Sequence, residues 1–121
     1  MQKVEEFLLN QATDLRQRSA WFDLGKMHIY LRVGQMLSYA DAQMVLGVCV
    51  SNVCVDERFR RKGVFLKFIE NMSAFGRPLG YVELQVEHAI SPEMVSFCQK
   101  HEMNIKPALY GSAGYSYWRT L

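Results

Sequence analysis

Cysteine, proline and histidine are scarce in this chain, with three of each among 121 residues. The cysteines, Cys49, Cys54 and Cys98, are odd in number and fit no Cys-x-x-Cys spacing, which excludes a disulfide framework and the usual zinc and redox motifs. A reducing, cytoplasmic setting is the economical expectation. His28 and His101 have no partner at His-x-x-x-His spacing, so no metal site is expected. Proline and glycine are too few for a collagen-like or low-complexity chain. Charge of one sign is lacking too: 14 Lys and Arg face 12 Asp and Glu, for a net charge of +2. The molecule as a whole is therefore no polycation, and nucleic acid is not an expected partner unless a local patch supplies the contact. The longest apolar run, Met44 to Val50, is broken by Gly47 and falls far short of the roughly 20 residues a bilayer requires. Glu5 and Glu6 stand just ahead of Phe7, Leu8 and Leu9, unlike the basic start of a signal peptide. No membrane partner is expected. Half of the residues are hydrophobic, enough for one domain over residues 1–121 to bury its own core.

Periodicity divides the chain. Val4, Phe7, Leu8 and Leu15 fall on one helical stripe, with acids early and arginines late as the helix dipole favours. Ser19 to Lys26, holding Trp21, Phe22, Asp23 and Gly25, reads as a loop wrapped onto the core. Three strand-like runs follow at Met27–Val33, Gln35–Tyr39 and Met44–Val55, with a turn at Gly34 and a short connection at residues 40–43, a pattern that predicts an antiparallel meander. The third run is apolar on both faces and should be central. Phe65, Phe68, Ile69 and Met72 form a helical stripe that ends near Gly76 and Pro78. Residues 81–87 alternate strictly, with Val82, Leu84 and Val86 on one face and Glu83, Gln85 and Glu87 on a polar one. Ser91-Pro92-Glu93 starts a helix whose stripe is Met94, Cys98 and His101. Pro107 and Gly111–Gly114 split the tail into strands near Met103–Ile105 and Tyr115–Leu121. The passage from the Met44 strand through a helix to the Tyr81 strand is a right-handed crossover, so those two strands should be parallel. The expected fold class is α+β, a mostly antiparallel mixed sheet with a central parallel pair and flanking helices. A ligand would sit at the loop leaving the first parallel strand.

That loop is the informative segment. Arg58, Arg60, Arg61, Lys62 and Lys67 gather around Gly63, at the opening of a helix. Free N–H groups, the helix dipole and a glycine allowing close approach suit a pyrophosphate. The same charge run would also suit a solvated turn, or contact with nucleic acid with Phe59 stacking on a base.

Val53-x-Val55-Asp56 followed by Arg60-Arg61-Lys62-Gly63-Val64-Phe65 resembles the acyl-coenzyme-A motif of the GCN5-related N-acetyltransferase (GNAT) family. That motif is a strand ending in a Val-x-Val-like pair, then Gln/Arg-x-x-Gly-x-Gly/Ala opening a helix. Phe65 stands where a small residue is usual. The resemblance covers about three quarters of the chain, from the meander to the end, while the first 25 residues match only in being helical. It implies an acetyl-CoA-dependent N-acetyltransferase acting on a primary amine, small molecule or protein. It also implies a pyrophosphate held by backbone N–H groups from Arg60 through Arg61, Lys62, Gly63 and Val64 to Phe65, and a pantetheine arm paired with backbone near Cys54 and Val55. The amine would attack the thioester directly, with a hydrogen-bond donor on the oxyanion and a base for the amine proton.

The second family motif, roughly Asn-x-x-Ala-x-x-Phe-Tyr-x-x-x-Gly-Phe, is matched at Phe97 only. Cys98 stands at the tyrosine that often protonates the leaving thiolate, and Glu102 stands at the glycine. Cys98 is thus a candidate proton donor, although a small buried cysteine is more commonly a core residue. Glu87 and His88, nearest the end of the second parallel strand, are the first candidates for the base, ahead of Glu83; alternatively the glutamates solvate a wet face and His88 caps a loop. Asn52 is a polar residue on the apolar central strand, for the acceptor or a bulge. Cys49 and Cys54, five apart, fall on opposite faces of a regular strand. The departures at Phe65, Cys98 and Glu102 keep a second class open: a non-catalytic GNAT-like binding or structural protein of phage type, retaining the fold and its CoA groove, or lacking CoA binding if Phe65 closes that groove. The strand at Tyr115–Leu121 is a plausible edge for a homodimer seam.

Overall fold

The structure is a computed structural model and describes residues 1–14, 16–89, 91–106 and 115–121. Leu15 and the Pro107–Gly114 segment lie outside the described residues, as does the side chain of His88. The elements run in the order α1 (Gln2–Gln11), β1 (Arg18–Asp23), β2 (Met27–Leu37), β3 (Met44–Val55), α2 (Val64–Gly76), β4 (Glu83–Ala89), α3 (Pro92–Lys100), β5 (Asn104–Lys106) and β6 (Tyr115–Thr120). They build a six-stranded sheet in the order β1-β2-β3-β4-β6-β5. All described pairings are antiparallel except β3 with β4, which is parallel. The α+β class and the parallel pair at its centre are therefore as the sequence implies.

One face of the sheet is the core face. Val33, Val48 and Leu84 share one row of it, and Leu31, Val50, Val86 and Tyr117 the next. They belong to a single cluster with Val4 and Leu8 of α1, Phe65, Phe68, Ile69 and Met72 of α2, and Cys98 of α3. Because successive strand residues alternate faces, Arg32, Cys49, Gln85 and Trp118 form a row on the opposite face. α3 starts as its sequence dictates, with the Ser91 side chain accepting the Met94 N–H at 3.2 Å and Pro92 in the first turn.

Several expectations are corrected. α1 ends at Gln11, before the arginines, which pair instead with Asp14 in the segment leading to β1. Asp14 accepts the Arg16 N–H at 2.9 Å, a local turn that competes with the helix. Ser19 to Asp23 is strand rather than loop. It lies at the sheet edge with only Phe22 buried, and Trp21 is 58% exposed against Tyr30, so its alternation is faint in the sequence. Gly34 makes no turn: β2 runs through it to Leu37, and the turn follows, closed by Ser38 N–H on Gln43 O at 2.8 Å. Gly34 is required for another reason. Its φ is +130°, and a Cβ there would lie 2.9 Å from the carbonyl oxygen of Arg16. The polar face of β4 is closed at Glu83 and Gln85, which are buried, and stays partly open at Glu87, while Val82, just before the strand, is exposed. β6 is interior, between β4 and β5, and does not offer the full-length edge a dimer seam would use.

Candidate active site

The parallel pair is short. β3 and β4 pair from Gly47/Glu83 to Val50/Val86, and then part, although β3 continues to Val55 and β4 to Ala89. The parting coincides with a bulge in β3: Leu31 pairs with Val50 and Tyr30 with Asn52, leaving Ser51 as the extra residue. A bulge bends its strand and increases its twist, which opens the sheet into a fork. Among the described residues, Asn52, Val53, Cys54 and Val55 have no partner on β4. The bulge also corrects the cysteines: Cys49 pairs with Arg32 and Cys54 with His28, an even spacing on β2, so both cysteines lie on one face.

Beyond the fork comes the basic loop. Asp56 caps a short 3₁₀ turn, accepting the Arg58 N–H at 3.0 Å. The Arg58 guanidinium folds back onto the same carboxylate at 3.1 Å, which holds the Asp56 carboxyl below the ordinary range. Arg58 and Lys26 both stand over the Phe59 ring, at 5.4 and 5.3 Å, so that ring already has cationic neighbours. Arg60 donates from Nε to the Val55 carbonyl at 3.1 Å, tying the loop to the end of β3. Arg61 and Lys62 are exposed. Arg61 and Gly63 both adopt left-handed backbone, with φ of +62° and +74°. They turn the chain into α2, whose first intrahelical bond is Lys67 N–H to Gly63 O at 2.9 Å. The N–H groups of Val64, Phe65 and Leu66 precede that bond at the helix opening. A Cβ on Gly63 would meet nothing within 4 Å, so the space above it is open. Glycine backbone, open space, helix N–H groups and two exposed cations fit a pyrophosphate. Phe65 does not close this groove: its side chain is turned into the core, edge-on to Phe97 at 4.8 Å and stacked on Phe68 at 6.4 Å. Only its backbone is available to a ligand. A cavity of about 210 Å³ opens beside the same helix start, lined by Met27, Val64, Lys67 and Phe68 among others.

At the fork stands Glu87. It receives Arg32 Nη2 at 2.6 Å, Ser51 Oγ at 3.1 Å and Cys49 Sγ at 3.6 Å. Arg32 Nη2 also reaches Cys49 Sγ at 3.4 Å. Burial pushes the Cys49 thiol up, against the opposing pull of Arg32, so it serves this cluster as a neutral donor. Glu83 is a different carboxylate in kind. Its oxygens accept Ser38 Oγ at 2.6 Å, Tyr39 N–H at 2.9 Å and Gln85 Nε2 at 2.7 Å, and it is 5% exposed. Gln85 also donates to the Leu37 carbonyl at 2.8 Å. These bonds fix the β2–β3 turn so that Tyr39 lies near Glu87, Arg32 and Cys49. Burial raises the Tyr39 phenol, which pairs with the Ser116 side chain.

The structure brings Glu87 together with the fork, and carries Cys54, Val55 and Arg60 through Phe65 from its rim to the helix start. His88 follows Glu87 on β4. Cys98 is on the core side, fully buried, and burial pushes its thiol to about 12. A donor that weak is poorly matched to a leaving thiolate. Asn52 is exposed beside the bulge. Arg32, Tyr39 and Ser51 were not legible as site residues, because their approach to Glu87 depends on cross-strand register. The one local signal is the polar pair Ser51-Asn52 interrupting an apolar strand.

A mixed sheet that opens at its parallel pair, with a glycine-started helix behind the opening, defines the class of α+β fold. No family model and no curated protein sequence matches the chain. Solved structures do. An acetyltransferase from Thermus thermophilus shares 19% identity at a TM-score of 0.59, over 96% of this chain and 71% of that one. A GNAT-family acetyltransferase from Listeria monocytogenes shares 10% at 0.53, over 81% and 66%. A Bacillus subtilis acetyltransferase in complex with CoA shares 11% at 0.51, over 88% and 99%. The chain has the GNAT fold.

Proposed function

We propose that this protein is an acetyl-CoA-dependent N-acetyltransferase acting on a primary amine. The observation that carries the reading is the fork. The β4-facing side of β3 from Asn52 to Val55, which has no strand partner there, leads from Glu87 to the open, glycine-started helix N-terminus, a track for an extended arm at one end and for phosphates at the other. The Bacillus subtilis structure that shares this fold is a CoA complex, which supports the same ligand here. When bound, acetyl-CoA supplies an activated acyl thioester. The chain's residues then act on the amine. Glu87, directly or through a water, takes the amine proton as the nitrogen forms its bond to the acyl carbon and the carbon–sulfur bond breaks; the thiolate leaves and is protonated. His88 is the neighbouring candidate on β4. N–H groups of β3 beyond the bulge that are directed to its β4 side are the candidate oxyanion donors. Arg61, Lys62, Gly63, Val64 and the Phe65 backbone hold the pyrophosphate, with Arg60 bracing the loop. Small amines, peptide N-termini and lysine side chains are all compatible with this chemistry.

The test is release of free thiol from acetyl-CoA in the presence of primary amines. The reading expects amine-dependent release that Gly63→Trp abolishes by filling the space above the helix start. Tight CoA binding without release under any amine would favour instead a GNAT-like binding protein.

A further inference from the structure

We propose that the surface beside Glu87 binds an acidic group carried by the acceptor, a carboxylate or a phosphate, so that the preferred amine is zwitterionic. This inference rests on the acetyltransferase reading and names the acceptor class for that same site. It follows from how the cationic donors are placed on the sheet face opposite the helices. Of the two β4 carboxylates there, one is closed: both oxygens of Glu83 are taken by Ser38, Tyr39 and Gln85. That leaves Glu87, which pairs with Arg32, while Lys106 of β5 lies on the same face of the sheet. Arg32 gives only Nη2 to Glu87 and Cys49, while its Nε is buried without a hydrogen-bond partner. The Arg32 side chain is 31% exposed, so an anion can reach the open side of the guanidinium and gain charge-assisted bonds there. Lys106 places its ammonium 4.3 Å from the centre of the Tyr39 ring and makes no ion pair among the described residues. Tyr39 joins the two cations into one neighbourhood, since it lies close to Arg32 and Glu87 and under Lys106. An acceptor with an ammonium for Glu87 and an acidic group for Arg32 and Lys106 matches this charge arrangement. A simple alkylamine engages Glu87 but offers nothing to Arg32 and Lys106.

The experiment compares acceptors that differ in the acidic group while their amines stay similar: β-alanine against propylamine, and 2-aminoethyl phosphate against ethanolamine. Thiol release from acetyl-CoA gives kcat/KM for each, and calorimetry of the CoA-bound protein gives direct binding of the same four compounds. The expected preference for the acidic partner is about ten- to hundredfold, the worth of one charge-assisted hydrogen bond, carried mainly by KM. Whichever pair shows the larger ratio identifies the carboxylate or the phosphate. Arg32→Gln should bring the ratio close to one. Lys106→Met, at the sheet margin, should reduce it without threatening the fold. Equal rates and equal binding within both pairs, or a ratio untouched by both variants, overturns the inference. Thermal stabilisation by acetyl-CoA separates the two levels: stabilisation with no acid preference defeats this inference alone, whereas no stabilisation defeats the acetyltransferase reading on which it rests.

Discussion

Glu83 and Glu87 sit four positions apart on the same strand, on the same face, yet their surroundings assign them different work. Glu83 is buried and fully bonded, which makes it a pin for the β2–β3 turn. Glu87 sits where the parallel strands part, within reach of the gap. Glu87→Gln should therefore lower kcat by about 10²- to 10⁴-fold, the usual worth of a general base, while acetyl-CoA affinity stays near wild type. Equal losses of binding and rate would assign Glu87 to the architecture of the fork instead. Strict alternation on β4 made Glu87 legible in the sequence, because a strand's period is local. Alternation could not say which glutamate was closed, since that depends on Ser38 and Tyr39, more than 40 positions away. Arg32 was illegible for the same reason. Phe65 looked like a plug because the motif specifies a small residue; its rotation toward Phe97 is decided by α3, which the motif does not include.

Elements with strong periodicity or cap chemistry were the ones the sequence specified well. The Ser91-Pro92 helix start, the β3 core strand and the β3-α2-β4 crossover all emerge from local pattern. β1 did not, because an edge strand buries little and has no period to display. Gly34 was read as a turn because glycine usually marks one, whereas here it admits the backbone of Arg16 and Gln17 against a continuous strand. Gly34→Ala tests that reading. Positive φ and a 2.9 Å approach to the Arg16 carbonyl should together cost about 2 kcal/mol. Thermal unfolding should then fall by roughly 5–10 °C. A neutral or stabilising outcome would mean that the Arg16–Gln17 segment is not packed across β2.

At the scale of the whole molecule, the fold persists at 10–19% identity to the acetyltransferases that share it. A mixed sheet needs only hydrophobic periods and one bulge to specify its fork, so sequence identity is a poor gauge of this architecture. The same core sets an alkaline limit. Cys98 moves from 9.0 to about 12 through burial, and burial also raises Tyr39, Tyr81 and Tyr117. A raised acid favours the native state while it stays protonated. The Cys98 contribution is thus full below pH 9 and is lost progressively as pH rises toward 12. The melting temperature should decline over that range, and Cys98→Ala should make the decline shallower; an unchanged slope would place Cys98 outside the folded core.

The central claim is that the fork and the Gly63 helix start receive acetyl-CoA. Thermal unfolding with and without acetyl-CoA, run beside Gly63→Trp, tests it most directly. Ligand at 100 times its dissociation constant adds about 2.7 kcal/mol to the native state, a readily visible rise in melting temperature. That rise is expected for the wild type and should be absent in Gly63→Trp. No shift in the wild type at millimolar acetyl-CoA would contradict it.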